Sequence, residues 1–487
     1  MSAPLSRRRL MAISAGTAAA VTAAQLGLSS AASATGSHGV VDHRLRGPAD
    51  RAYQYLNVVM DAYKQGDDLR LLQSYNNESG LMTTGFIYDN ALAAIAYLSR
   101  PTSDNVRRAK LIGDTLLWIQ ANDETHTDGR LRQAYAVGPM IFYGWWPEFP
   151  GLVRADGKAA FLWPFGFSGT SVGDMGWAGL ALAQLFDRTR NRRYLDGAVA
   201  IGEWIKGRPS PFHFGGYHGG VQADGTTAQR WCSTEHNIDV YALFQLLGRH
   251  TRNRDWYQDA NVARDFVRSM WNPAGGYFWT GTQGGNPGDD PNLINKSILP
   301  EDVNTWAYLS LRDRAHARGI DWTAAKLGNV DGGPESQLPE GVTIAGVTFS
   351  DQSKVLTGTV PNGDRPNDRN AVWLEGNGHM AAALLERNRH GDRGRAVHYL
   401  LETVKAQELL GGGQTVGLTS DPINGRLSNP GDGGNWTGTA LPARSGIVSA
   451  TSAFDTGFGF GYFQRQHVGA TSWFLMGAQG VNPYNTL

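Results

Sequence analysis

The 487-residue sequence predicts an all-α fold, an (α/α)6 toroid of six helical hairpins with long Gly- and aromatic-rich loops at one mouth. Three observations carry that prediction. Two kinds of helix alternate along the chain, one amphipathic with a charged face and the other apolar all round, and an all-round apolar helix belongs in the interior. The apolar kind opens on an acidic residue at positions 89, 174, 235, 301 and 375, a recurrence every 61 to 85 residues. The 62 glycines, about 13% of the chain against a usual ~7%, cluster between these runs and mark long structured loops.

The amphipathic set covers 49–65, 104–120, 191–206, 253–271 and 392–409, each with apolar residues at three-to-four spacing. These are expected as outer helices. The apolar set opens on Asp89-Asn90-Ala91-Leu92, Asp174-Met175-Gly176-Trp177, Glu235-His236-Asn237-Ile238, Glu301-Asp302-Val303-Asn304 and Glu375-Gly376-Asn377-Gly378. Residues 471–480 supply a sixth inner run, and 320–330 the outer helix before the Gly-Pro-rich stretch 332–366. Parallel inner helices place all their N-termini at one mouth of the ring, so the acidic starts converge there.

Residues 1–34 read as a twin-arginine export signal: Ser6-Arg7-Arg8-Arg9-Leu10, a charge-free stretch rich in Ala, Thr, Ser and Gly, then Ala32-Ser33-Ala34 as a cleavage site. Its removal leaves one catalytic domain, 35–487, with 41 basic against 44 acidic side chains. That balance gives no net field for nucleic acid or an anionic membrane and suits a neutral substrate. The expected location is therefore outside the cytoplasm, with the twin-arginine machinery as a partner and no membrane association after signal removal. Cys232 is the single cysteine, so the chain has no internal disulfide and no zinc site built on cysteines. No phosphate-binding glycine loop, Gly-x-Ser-x-Gly elbow or His-Glu-x-x-His helix is present, and no cofactor or metal is expected.

With this pattern the chain resembles the six-hairpin glycosidase superfamily, in particular secreted bacterial members, over essentially all of 35–487. Gly173-Asp174-Met175-Gly176-Trp177 is similar to the His-Asp-hydrophobic-Gly-aromatic element of the unsaturated glucuronyl hydrolases, with Gly173 where that element has His. The resemblance implies an active site at the mouth, hydrolysis of a poly- or oligosaccharide, and a role for Asp89 as the second inner-helix Asp.

Glycoside hydrolysis needs two carboxyl groups across the scissile bond, one of them kept protonated by its surroundings. The candidates are Asp174, Glu235, Asp89 and Glu375. An acidic residue at a helix start is also a good cap and favoured by the helix dipole, but several of them converging on one mouth repel each other and are costly without a use. Glycines flank Asp174, and Trp177 is expected to stack on a sugar; Trp231, His236, Trp306 and His379 are further substrate-binding candidates. Arg130, beside Asp128, either grips a sugar or closes a surface turn. The surplus of tryptophan, including Trp145, Trp146, Trp163, Trp279 and Trp436, suits the same substrate.

Other classes remain open on sequence. A polysaccharide lyase acting on a uronic acid would use His236, Asn237, Tyr241 and Arg130. A sugar isomerase would use His236 with His379, and a non-catalytic glycan-binding protein would keep the aromatics alone. Asp289, Asp290 and Asn292 match no calcium loop and read as a polar turn.

Overall fold

Runs that are almost uncharged between their first and last turns have nowhere to go but inward, and the computed structural model places six of them in a closed inner ring. It describes residues 39–63, 69–76, 83–138, 140–142, 145–149, 151–161, 167–416 and 438–485. Residues 1–34, expected as an export signal, lie outside the described residues together with Trp163 and Trp436, as do the side chains of Trp145 and Trp146.

The inner helices are α2 (Ile87–Ser99), α4 (Val172–Thr189), α6 (Thr234–Thr251), α8 (Asp302–Leu311), α10 (Leu374–Arg387) and α12 (Val468–Gln479). Each packs against the next, and α12 closes on α2. The outer helices are α1 (Arg46–Ala62), α3 (Ser103–Asn122), α5 (Arg192–Lys206), α7 (Asp255–Ser269), α9 (Arg318–Lys326) and α11 (Asp392–Leu409). Five hairpins are consecutive in sequence. The sixth joins the two ends of the chain, α12 lying against α1, with the Val41 amide donating to the Ala478 carbonyl at 2.8 Å. This is the (α/α)6 toroid.

Two expected boundaries differ. The run 320–330 divides into α9 and a strand, Gly328–Asp331, paired antiparallel with Ile344–Val347. The sixth inner helix begins at Val468 rather than 471, because His467 caps it, its Nδ1 accepting the Ala470 amide at 3.3 Å.

One device recurs in all six hairpins. A side chain in the opening turn or so of each inner helix accepts a backbone N–H from the preceding loop. The pairs are Asn90 with Leu72 at 2.7 Å, Met175 sulfur with Leu131 at 3.1 Å and Asn237 with Tyr217 at 2.7 Å. Asn304 with Phe278 at 2.9 Å, Asn377 with Val347 at 3.1 Å and Thr471 with Ile447 at 3.0 Å complete the set. The four asparagines also donate to loop or helix-start carbonyls, so each amide satisfies both a donor and an acceptor that burial would otherwise orphan. These six contacts fix the mouth loops to the ring.

Below the mouth the ring axis is filled by aromatic rings. Trp306 and Trp473 stack at 5.8 Å, Trp177 meets both edge-on, and Tyr88 and Tyr484 pack on Trp177. All five are fully buried or nearly so. The helices approach closely enough for this packing because small residues line their contacts; a Cβ on Gly378 would fall 2.7 Å from that of Trp473.

Candidate active site

The start of each inner helix brings at least one titratable side chain to the mouth. In spatial order around the ring these are Asp174, Asp89, His467, Glu375, Glu301 and Glu235, from α4, α2, α12, α10, α8 and α6. All are buried, Asp174 keeping 4% of its surface, Glu235 3% and Asp89 2%. A carboxylate so placed needs a partner.

Histidine supplies it for three of them. His467 Nδ1 is occupied as the cap acceptor, so its Nε2–H donates to Asp89 Oδ1 at 3.0 Å. The other edge of the same ring lies 3.4 Å from Glu375 Oε2. Glu375 Oε1 accepts the Tyr88 hydroxyl at 2.6 Å, and that hydroxyl in turn accepts the Trp473 indole N–H at 3.0 Å. His379 Nε2 lies 3.7 Å from Glu375 Oε1, while its Nδ1 bonds Glu301 Oε2 at 2.8 Å. A continuous line of acid and imidazole, Asp89–His467–Glu375–His379–Glu301, therefore spans half the ring. Burial alone would lower the affinity of both imidazoles for a proton; the adjoining carboxylates outweigh it and raise both. Gly469 makes room for the arrangement, since a Cβ there would fall 2.6 Å from Asp89 Oδ1 and 3.0 Å from Glu375 Oε2.

Asp174 has no such cation. Burial pushes its carboxyl up to about 8, with the Asp89 charge adding to the rise; the Ser171 hydroxyl and the Tyr88 amide oppose it. Ser171 caps the helix, its hydroxyl accepting the Asp174 amide at 3.3 Å. Next to Asp174 stands Asp89, hydrogen-bonded to an imidazole. Two neighbouring carboxyl groups with opposite surroundings are the arrangement that acid–base chemistry uses.

The remaining expected site residues fall elsewhere. Trp177 and Trp306 are part of the aromatic plug with no exposed face, so the stacking expected of them has no surface to act on. His379 is likewise enclosed and serves Glu301 and Glu375. His236 is buried against the half-exposed ring of Trp231, 5.3 Å away. Arg130 grips Asp128 at 2.7 Å and the Gly225 carbonyl at 2.7 Å, which makes it the brace of a turn rather than a sugar ligand. Glu235 opens α6 on the far side of Asp174 from Asp89. Asp289 and Asp290 accept amides of their own turn. Among the described residues no group of three or more His, Cys, Asp or Glu is placed to hold a metal ion, and no helix is long and apolar enough to cross a membrane.

Sequence reasoning does not find His467, Tyr88 or Tyr75. Tyr75, half-exposed, stacks on the His467 ring at 4.0 Å and 7° and meets Phe86 edge-on at 6.3 Å. These rings supply at the mouth the apolar face that the buried tryptophans cannot.

Solved structures share this architecture. An alanine variant of a glycosidase in complex with glucose aligns over 90% of this chain and 98% of its own, at 13% identity and a TM-score of 0.50. A second glycosidase variant aligns over the same shares at 12% identity and 0.50. The chain shares the (α/α)6 toroid fold of these structures. An alpha-1,6-mannanase from Salegentibacter sp. HEL1_6 aligns at 11% identity and a TM-score of 0.49, covering 90% of this chain and 100% of its own. No protein-family profile matches the sequence, and a search of curated proteins finds no match.

Proposed function

We propose that the six-hairpin protein is a glycoside hydrolase acting on a poly- or oligosaccharide, exported through its twin-arginine segment. The observation that carries this reading is the pair Asp174 and Asp89, one protonated up to about pH 8 by burial and the other held by His467. In the reaction Asp174 donates its proton to the glycosidic oxygen as the bond breaks. Asp89 either attacks the anomeric carbon or takes the proton of an attacking water. Glu375 keeps His467 oriented between itself and Asp89. Because the pair retains so little accessible surface, the reading requires the mouth to part by the width of a sugar ring, with Tyr75 and Phe86 meeting the sugar first. The shared fold with glycosidases supports the same reading. A lyase would need groups to neutralise a uronate, and Arg130 and Asn237 are both committed to structural hydrogen bonds.

Incubation with a panel of neutral and uronic-acid polysaccharides tests this, reading reducing ends together with the ultraviolet absorbance of unsaturated uronides. Reducing ends alone are expected. Both signals rising together would show β-elimination, and neither would leave a glycan-binding protein without catalysis.

A further inference from the structure

A well-formed cavity lies not at the carboxylates but on the rim beside them. It has a volume of about 700 Å³, inside the ~300–1,000 Å³ range of small-molecule sites. Its wall is the loop between α7 and α8, with Gln283, Asn292, Asn295 and Lys296, and the ring of Phe214 from the loop before α6. The loop is held firmly to the catalytic ring. Its strand Gly281–Thr282 pairs with Ile294–Asn295, Gly281 bridges to Ser233, and the Thr282 hydroxyl accepts the Cys232 amide at 2.9 Å. Ser233 is the cap of α6, whose first turn carries Glu235. The cavity is thus one short ladder away from the mouth.

The chemistry of its wall selects a class of ligand. The half-buried side-chain amide of Gln283 makes no hydrogen bond among the described residues, and Asn295 uses only its oxygen, on Ser297. Amides both donate and accept, which matches vicinal hydroxyls. Asp289 is spent on the Gly284 and Asn286 amides, and Lys296 sits 5.5 Å from the Trp279 ring, so neither sign of charge dominates. Half-buried Phe214 offers an apolar face. Resting on the glycan-acting reading above, we propose that this cavity is a distal subsite for a neutral sugar unit of a longer chain, lying along the rim from the Asp89–Asp174 pair past Glu235.

Gln283→Ala is the probe, since it removes no internal bond. Native electrophoresis through gels containing soluble mannan, xyloglucan or dextran reads binding independently of catalysis when the Asp174→Asn background keeps the polymer intact. At least one of these polymers is expected to retard the protein, with the dissociation constant weakened about three- to tenfold by Gln283→Ala, the cost of one hydrogen bond. Phe214→Ala should weaken it comparably, and turnover of a short aryl glycoside should not change. Equal retardation with and without Gln283, or no retardation by any of the three, overturns the subsite. Retardation that depends on Gln283 in a protein that hydrolyses nothing would keep the subsite and remove the hydrolase reading.

Discussion

Asp174 keeps its proton at neutral pH because no cation near it offsets the loss of water, whereas Asp89, one helix away, has the imidazole of His467. The consequence for stability has a definite sign. The folded carboxyl binds its proton up to about 8 and the unfolded one only to about 3.8, so between these values the folded state holds the extra proton and stability falls as pH rises. Asp174→Asn should therefore flatten the pH dependence of thermal unfolding across this window, and leave the protein more stable than the parent above about 8. Melting curves at a series of pH values check this; an unaltered slope would mean that Asp174 is not the group that titrates. The acidic candidates were legible in the sequence because five apolar helices in succession open on a carboxylate, and capping alone does not call for so many at one mouth. His467 was not, since its helix opens on Val468-Gly469-Ala470 with no acid to draw attention, and Tyr88 reads like any aromatic residue of an apolar run. The expected stacking of Trp177 and Trp306 failed for a physical reason: a large ring one turn inside a closed ring of helices meets other rings, not solvent.

The hairpins themselves were read from periodicity, and α11 begins and ends where the apolar spacing says it should. The brace beneath each mouth loop lies equally in the sequence, as asparagines within three residues of an acidic helix start at Asn90, Asn237, Asn304 and Asn377. Periodicity says nothing about it, because its meaning depends on which loop backbone comes to lie opposite. Met175 and Thr471 do the same work with a sulfur and a hydroxyl, which conceals the repeat further. Asn237→Ala would leave the Tyr217 amide and carbonyl buried without partners. The expected cost is about 1–3 kcal/mol of unfolding free energy, readable by denaturant titration. A change below a few tenths of a kcal/mol would show that water replaces the amide.

At the scale of the molecule, the ring depends on a hairpin made from the two chain ends. Without α12 the stacked Trp306, the edge of Trp177 and the apolar faces of α2 and α10 would all meet water, and His467 would go with it. A chain ending at residue 466 is accordingly expected to aggregate or to lack a cooperative unfolding transition, as judged by size exclusion and calorimetry. A soluble, cooperatively melting product would show that five hairpins suffice. The toroid was legible as a whole because its repeat is long and its two helix types differ so clearly. The closure of the mouth was not, since it arises from side chains of all six helices meeting across the axis. The most direct measurement of the carboxyl pair's role is the rate of reducing-end release from a polysaccharide that the parent protein cleaves, compared among the parent, Asp89→Asn and Asp174→Asn, each shown by circular dichroism to be folded. Loss of at least about a hundredfold in both variants is predicted, in line with the usual contribution of a general acid or base; activity near the parent's in either one would contradict the assignment.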